Sequence, residues 1–106
     1  MTVTACGSPD ALSAALSAAG SKLVVIDFCA TWCPPCKRIA PILVQLSEKL
    51  TDVVFLKVDV DENSESAQAY EIEAMPTFKF IKNGEVKATI RGADEAALEA
   101  TANQHK

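Results

Sequence analysis

The sequence has only one histidine and fewer basic than acidic residues. In 106 residues it carries one histidine, four cysteines, 10 Lys and Arg residues and 14 Asp and Glu residues, for a net charge of −4. A structural zinc site usually takes four cysteine or histidine ligands, which one histidine and a single CxxC pair do not favour. Because no segment concentrates positive charge, nucleic acids and anionic membranes are not expected partners.

Long apolar segments are also lacking. No segment approaches the roughly 18 apolar residues that span a bilayer. The first residues, MTVTACGSPDAL, have neither the basic nor the apolar region of a secretory signal. We therefore expect a cytoplasmic protein that does not bind membranes. In that reducing compartment, cysteines are more often catalytic or metal-binding than part of a disulfide framework.

Hydrophobic residues are sufficient for one core. They make up 49% of the chain, and no repeat, low-complexity tract or Pro/Gly-rich linker marks a boundary. We therefore expect residues 1–106 to form a single domain, and the protein to be a monomer.

The hydrophobic pattern predicts elements in the order βαβαβαββα. The predicted strands are 2–6, 23–29, 53–60, 77–81 and 86–90, with a hairpin turn at Asn83-Gly84. The first predicted helix is 9–20, after an N-cap at Ser8, and the second follows Cys33, with helical apolar spacing from Cys36 to about Leu50 and a kink at Pro41. A third is capped by Asn63 or Ser64 and runs to about Tyr70, and the last starts near Asp94 and frays in the tail NQHK. This order predicts an α/β fold, with a mixed central β-sheet flanked by helices on both faces.

The segment ATWCPPCK, residues 30–37, joins a buried strand to a helix. A thiol at Cys33, just ahead of the helix, would face the positive end of the helix dipole, which favours thiolate. Cys36, one turn into the helix, is expected to be more buried and could attack a mixed disulfide formed at Cys33. A structural disulfide closing so short a loop would stabilise the fold little. We therefore favour a redox pair over a structural disulfide or a zinc site.

Asp27 is the one charged residue in the apolar strand LVVIDFC. By alternation it shares a face with Leu23, Val25 and Cys29, and burial without a partner would raise the pKa of its carboxyl group. The alternative is a solvated aspartate at the end of the strand.

Several of these features together resemble the thioredoxin family. The resemblance rests on Asp27 within VVIDF, ATWCPPCK followed by Pro41, FLKVDVDEN, AMPTF, NGE and an RGA segment, in family order and across nearly all of the chain. It implies the thioredoxin fold and a dithiol–disulfide reductase activity without a bound cofactor. It also implies electrons from NADPH through thioredoxin reductase. Expected targets are disulfide-containing proteins such as peroxiredoxins, methionine sulfoxide reductase or ribonucleotide reductase.

The resemblance also implies roles for individual residues. Asp27 would take or return the proton of Cys36, and Lys57 would lie near this carboxyl group, although alone it reads as an ordinary lysine. A cis peptide bond before Pro76 would leave the backbone of Met75 free to pair with an extended substrate. The substrate groove is expected to be formed by Trp32, Pro34, Pro35, Met75, Pro76, Gly92 and Ala93, with glycine at position 92 allowing close backbone approach.

Two residues depart from the commonest family pattern. Pro34 stands where glycine is usual, and Arg91 stands where many relatives have a small or apolar residue. We expect Arg91, in the loop before Gly92, either to favour acidic substrates or to be a solvated side chain without effect. Cys6 and Cys29 are expected to be small buried residues, with Cys29 the better candidate for a second redox or dimerising thiol.

Two alternative functions remain open from the sequence. WCPPC also occurs in tryparedoxins, which draw electrons from a different dithiol donor. A thioredoxin-fold binding module whose thiols matter little is the alternative outside redox chemistry.

Overall fold

A computed structural model describes residues 3–106 and has the predicted order of elements. The strands are β1 Val3–Ala5, β2 Val24–Cys29, β3 Val54–Asp59, β4 Thr77–Lys82 and β5 Glu85–Arg91. The helices are α1 Pro9–Ala19, α2 Pro34–Lys49, α3 Ser64–Ala69 and α4 Glu95–His105. Thr2, where the first strand was predicted to begin, lies outside the described residues.

Helix α2 begins at Pro34 with Cys33 as its N-cap, so Cys33 lies just ahead of the helix, as predicted. One predicted helix end was wrong. The tail does not fray, since α4 continues through His105. The N–H of Lys106 donates to the carbonyl of Ala102 at 3.0 Å, and its Nζ lies 3.7 Å from Asp52 Oδ2. These contacts hold the last turn, which the polar sequence alone did not indicate.

The sheet is mixed, as predicted. Its strand order is β1-β3-β2-β4-β5, with β1, β3 and β2 parallel to one another and β4 and β5 antiparallel to their neighbours. The hairpin between β4 and β5 turns at Asn83 and Gly84, which have φ angles of 53° and 80°. Positive φ at both positions is what a type I′ turn requires, so the Asn-Gly signal is confirmed.

The strand β2 lies at the centre of the sheet and is buried along its whole length. Its side chains alternate between two core clusters, so that Val25 packs on one face and Ile26 and Phe28 on the other. Helices α2 and α4 supply the first face, through residues such as Leu43 and Leu98. Helix α1 covers the second. The predicted arrangement of helices on both faces is thus confirmed.

None of the helices within residues 3–106 is both long enough and apolar enough to cross a membrane.

Candidate active site

Helix α2 places Cys33 at its N-terminus. The backbone of Cys33 is extended, with φ −92° and ψ 111°, as the residue before a proline prefers, and Pro34 occupies the first helical position. Cys33 Sγ accepts a hydrogen bond from the backbone N–H of Cys36 at 3.3 Å. The sulfur therefore takes the place of an N-cap oxygen, at the end of the helix where the dipole favours negative charge.

Cys33 is as deeply buried as Cys36, with exposed fractions of 4% and 5%. The prediction that Cys36 is the more buried thiol was wrong. The reason is the loop before β4, because the Cys33 thiol lies 3.5 Å from the carbonyl oxygen of Met75, to which it donates. Met75 also packs against the cluster of buried side chains around the thiols, which are Cys29, Ala30, Cys33 and Cys36.

The pKa of Cys36 separates it chemically from an ordinary thiol. Burial, the hydrogen bond with Cys33 and the negative charge of Asp27 together raise the pKa of Cys36 to about 12, with burial the largest cause. Cys36 is therefore protonated near neutral pH, and it needs a base before it can act as a nucleophile.

Asp27 is a buried carboxyl group, as the sequence predicted. It is 1% exposed in the middle of β2, and its Oδ1 has no hydrogen-bond partner among residues 3–106. Burial raises the pKa of Asp27 to about 7, although the positive charge of Lys57 acts in the opposite direction. Such a carboxyl group exchanges a proton readily near neutral pH.

Lys57 connects the surroundings of Asp27 with those of Cys36. It stands opposite Asp27 in the register of β2 and β3. It lines a cavity of about 220 Å³ together with Asp27, and a second cavity of about 260 Å³ together with Cys36 and Cys29. The structure therefore places this lysine beside the carboxyl group, as the resemblance implied.

The loop before β4 lies beside Cys33. Its Met75–Pro76 peptide bond is cis, as the resemblance implied. The carbonyl of Pro76 accepts a hydrogen bond from the N–H of Gly92 at 2.9 Å, which joins this loop to the end of β5. Gly92 has φ 97° and open space where a Cβ would stand. Its backbone conformation therefore explains the glycine, and the predicted close approach of a substrate backbone at this position stays a prediction. Ala93, which follows it, is exposed.

Trp32 is the most exposed large hydrophobic residue beside the thiols, with 61% of its surface accessible. Its indole N–H donates to Asp61 Oδ2 at 2.9 Å. Asp61 was not among the predicted site residues, although the acidic run VDVDEN at the carboxyl end of a strand was a signal for it. Of the two prolines in the motif, Pro34 is exposed and Pro35 is half-buried.

Arg91 is the last residue of β5, where it pairs with Thr77, so its predicted place in a loop was wrong. Its side chain is exposed. Among residues 3–106, no acidic group forms an ion pair with it.

The two remaining cysteines are buried. Cys6 is 2% exposed, and Cys29 is 4% exposed with its thiol 3.6 Å from the carbonyl oxygen of Val58. Burial raises the pKa of both thiols, that of Cys29 to about 12. In the described part of the chain, no cluster of three or more His, Cys, Asp or Glu side chains could hold a metal ion.

Comparisons with known proteins agree with this geometry. The family model described as Thioredoxin matches residues 4–104. The thioredoxin of Geodia cydonium is 54% identical over 93 residues, covering 87% of this chain and 88% of that protein. Human thioredoxin is 50% identical over 97 residues, covering 92% of both chains. A crystal structure of reduced Schistosoma mansoni thioredoxin superposes with a TM-score of 0.95, at 44% identity and full coverage of both chains.

The matches extend over nearly the whole chain, far beyond the CxxC motif, and at these identities they show that the chain has the activity of the family. They exclude the alternative of a binding module whose thiols take no part in chemistry. The chain belongs to the thioredoxin family, and it is a thiol–disulfide oxidoreductase that reduces disulfides.

Proposed function

We propose that Cys33 is the attacking thiol of this oxidoreductase and Cys36 its resolving thiol. One observation carries the assignment. Cys33 Sγ is the N-cap of α2 and accepts the N–H of Cys36 at 3.3 Å, whereas the pKa of the Cys36 thiol is raised to about 12. A negative charge is stabilised at the first sulfur and opposed at the second.

The reaction then has two exchange steps. The Cys33 thiolate attacks one sulfur of a substrate disulfide, so that a mixed disulfide forms and the other substrate sulfur leaves as a thiolate. Cys36 loses its proton and attacks Cys33 Sγ, which releases the second substrate sulfur and closes the Cys33–Cys36 disulfide. The substrate gains two electrons, and the two cysteines lose them.

Asp27 is the proposed proton carrier for the second step. Its carboxyl group is buried, lacks a hydrogen-bond partner at Oδ1 and has a pKa raised to about 7. When ionised, it can accept the proton of Cys36. When protonated, it can return one to a leaving thiolate, with Lys57 stabilising the ionised form.

The substrate is proposed to bind across an open groove beside Cys33. Exposed Trp32 would form one side of this groove, and the loop of Met75 and Pro76, which is bonded to Gly92, would form the other. An extended segment would add as a strand to the backbone of Met75. Pro34, Pro35 and Ala93 complete the proposed surface.

The physiological context is proposed from the family. We infer a single domain over residues 1–106 that acts as a cytoplasmic monomer, carrying electrons from NADPH through thioredoxin reductase. Its targets would be proteins with disulfides, such as peroxiredoxins, methionine sulfoxide reductase or ribonucleotide reductase. What supports this is the match to thioredoxins over most of the chain.

Electron donors test this proposal most directly. The protein should reduce insulin disulfides with dithiothreitol faster than dithiothreitol alone, and turn over with NADPH and thioredoxin reductase. Because WCPPC also occurs in tryparedoxins, trypanothione and glutathione should be supplied as donors in parallel. Faster turnover with trypanothione than with thioredoxin reductase would contradict the proposed donor.

A further inference from the structure

The proposed substrate groove has side chains of opposite charge on its two sides. Arg91 ends β5 next to Gly92, whose N–H bonds to Pro76 at 2.9 Å. On the other side, Asp61 accepts a hydrogen bond from Trp32 at 2.9 Å. Both charged residues are exposed. We call these two sides the Arg91 rim and the Asp61 rim.

The reactive sulfur lies between the two rims, because Cys33 follows β2, and β2 stands in the sheet between β3, which leads to Asp61, and β5, which ends at Arg91. Cys33 Sγ is 3.5 Å from the carbonyl oxygen of Met75, the residue before Pro76, and this places it beside the Arg91 rim. Trp32 precedes Cys33 in the chain, and its bond to Asp61 places the sulfur beside the Asp61 rim. A substrate segment whose cysteine reaches Cys33 therefore passes close to both rims.

Neither charge forms a salt bridge within residues 3–106. In the part of the chain that the structure describes, the salt bridges are Lys49–Glu99, Lys87–Glu85 and Lys106–Asp52, and none includes Arg91 or Asp61. Asp59 lies near Asp61, because its Oδ1 accepts the N–H of that residue at 2.9 Å, which adds negative charge to the same rim. Both rims can therefore interact with charges on a substrate.

We propose that the two rims make the rate of reduction depend on the order of the charged residues on either side of the substrate cysteine. A segment with an acidic residue toward the Arg91 rim and a basic residue toward the Asp61 rim is reduced faster than the isomer with these charges exchanged. This inference rests on the proposed role of Cys33. Exposed ion pairs are weak, so the expected difference in rate is roughly two- to five-fold. It arises in association and disappears at high salt.

Two isomeric disulfide peptides provide the test. Each has one glutamate and one lysine flanking the cysteine, in opposite orders, so that composition and net charge are identical. The net charge of −4 of the protein then acts equally on both. Stopped-flow reduction by the wild type should show the difference at low salt and equal rates at high salt. A third peptide, with alanine at both flanking positions, gives the rate of disulfide reduction in the absence of flanking charges.

Three variants assign the difference to the rims. Arg91→Glu and Asp61→Asn should each reduce the preference between the isomers, and Asp61→Asn keeps an oxygen that can accept from Trp32. Lys22→Glu is the control for Arg91→Glu, because it makes the same change in charge at the opposite end of β2, and it should keep the wild-type preference.

The outcomes separate this inference from the proposed function. Equal rates for the two isomers at low salt would contradict the proposed preference for one order of charges, and so would an equal loss of preference in Lys22→Glu and Arg91→Glu. Neither result would contradict the proposed role of Cys33 as the attacking thiol. If the wild type does not reduce even the alanine peptide, or if Cys33→Ser reduces it as fast, the proposed role of Cys33 fails and the inference with it.

Discussion

Asp27 and Lys57 stand opposite each other on β2 and β3, yet no salt bridge joins them among residues 3–106. Lys57 is only half-buried, so its charge is partly screened, whereas Asp27 is 1% exposed. Burial therefore outweighs the attraction of the lysine, and the pKa of Asp27 rises to about 7. A carboxyl group in this state affects both the stability and the chemistry of the protein.

The first prediction concerns stability. Because the pKa of Asp27 is raised in the folded state, the folded protein holds a proton that the unfolded chain has lost, and stability falls as the pH rises from about 4 to about 7. Asp27→Asn removes this cost, which is at most roughly 4 kcal/mol above the folded-state pKa. Urea unfolding should show the variant little changed at about pH 4 and more stable than the wild type at about pH 8.

Glu48→Gln is the matched control for this prediction, because Glu48 is exposed on α2 and forms none of the described salt bridges. It should follow the wild type at both pH values. An Asp27→Asn variant whose stability gain does not grow with pH would contradict the burial argument.

The second prediction concerns proton transfer. Asp27→Asn should slow release of reduced substrate near neutral pH, because Cys36, with its pKa raised to about 12, loses its nearby base. Single-turnover rates measured across pH should show an inflection near the pKa of Asp27, about 7, in the wild type and none in the variant. Superimposable pH–rate profiles would exclude Asp27 as the proton carrier.

The third prediction separates the roles of the two cysteines. Cys33→Ser should abolish disulfide reduction, because the attacking thiolate is lost. Cys36→Ser should instead accumulate a mixed disulfide between Cys33 and the substrate, because no resolving thiol remains. Mass spectrometry of the trapped adducts checks both outcomes. Equal trapping through Cys36 in the Cys33→Ser variant would reverse the assignment.

The fourth prediction concerns Pro34, which occupies the first position of α2, where its fixed φ suits the helix. Pro34→Gly should lower the free energy of unfolding by about 0.4–1 kcal/mol, because glycine raises the entropy of the unfolded chain. It also restores the glycine usual in the family and an N–H near the sulfurs. From that family pattern we expect a more negative reduction potential, measured by equilibration with glutathione.

Pro9→Gly is the control for Pro34→Gly, since Pro9 occupies the corresponding position of α1. It should cost similar stability and leave the potential unchanged. A potential that shifts equally in both variants, or a Pro34→Gly protein as stable as the wild type, would contradict this account.

The fifth prediction tests the idea that Cys29 is a second redox thiol. Cys6 and Cys29 are buried and their pKa values are raised, so both should resist iodoacetamide in the native protein at about pH 8. The Cys33→Ser/Cys36→Ser double variant isolates them, and mass spectrometry before and after urea unfolding measures their labelling. Rapid native labelling of Cys29 would favour a redox or dimerising role.

Local sequence patterns were enough to predict most of the fold. Strand β2 has an apolar run interrupted only by Asp27, and Asn83-Gly84 accepts the positive φ angles of a tight turn, so neither depends on distant residues. The position of Cys33 ahead of a helix followed from its neighbours in the same way. The burial of Asp27 was also predictable, because a residue flanked by apolar ones in a central strand has little contact with water.

Only the tertiary structure decided how the active site is covered and charged. The contact between Cys33 and Met75 joins residues 42 apart, and the bond between Trp32 and Asp61 joins residues 29 apart. No local propensity encodes such contacts, because they depend on how the sheet brings separate loops to the carboxyl end of β2. For that reason the sequence alone indicated the residues that we propose for the chemistry, whereas the equal burial of the two thiols and the opposite charges of the two rims came from the fold.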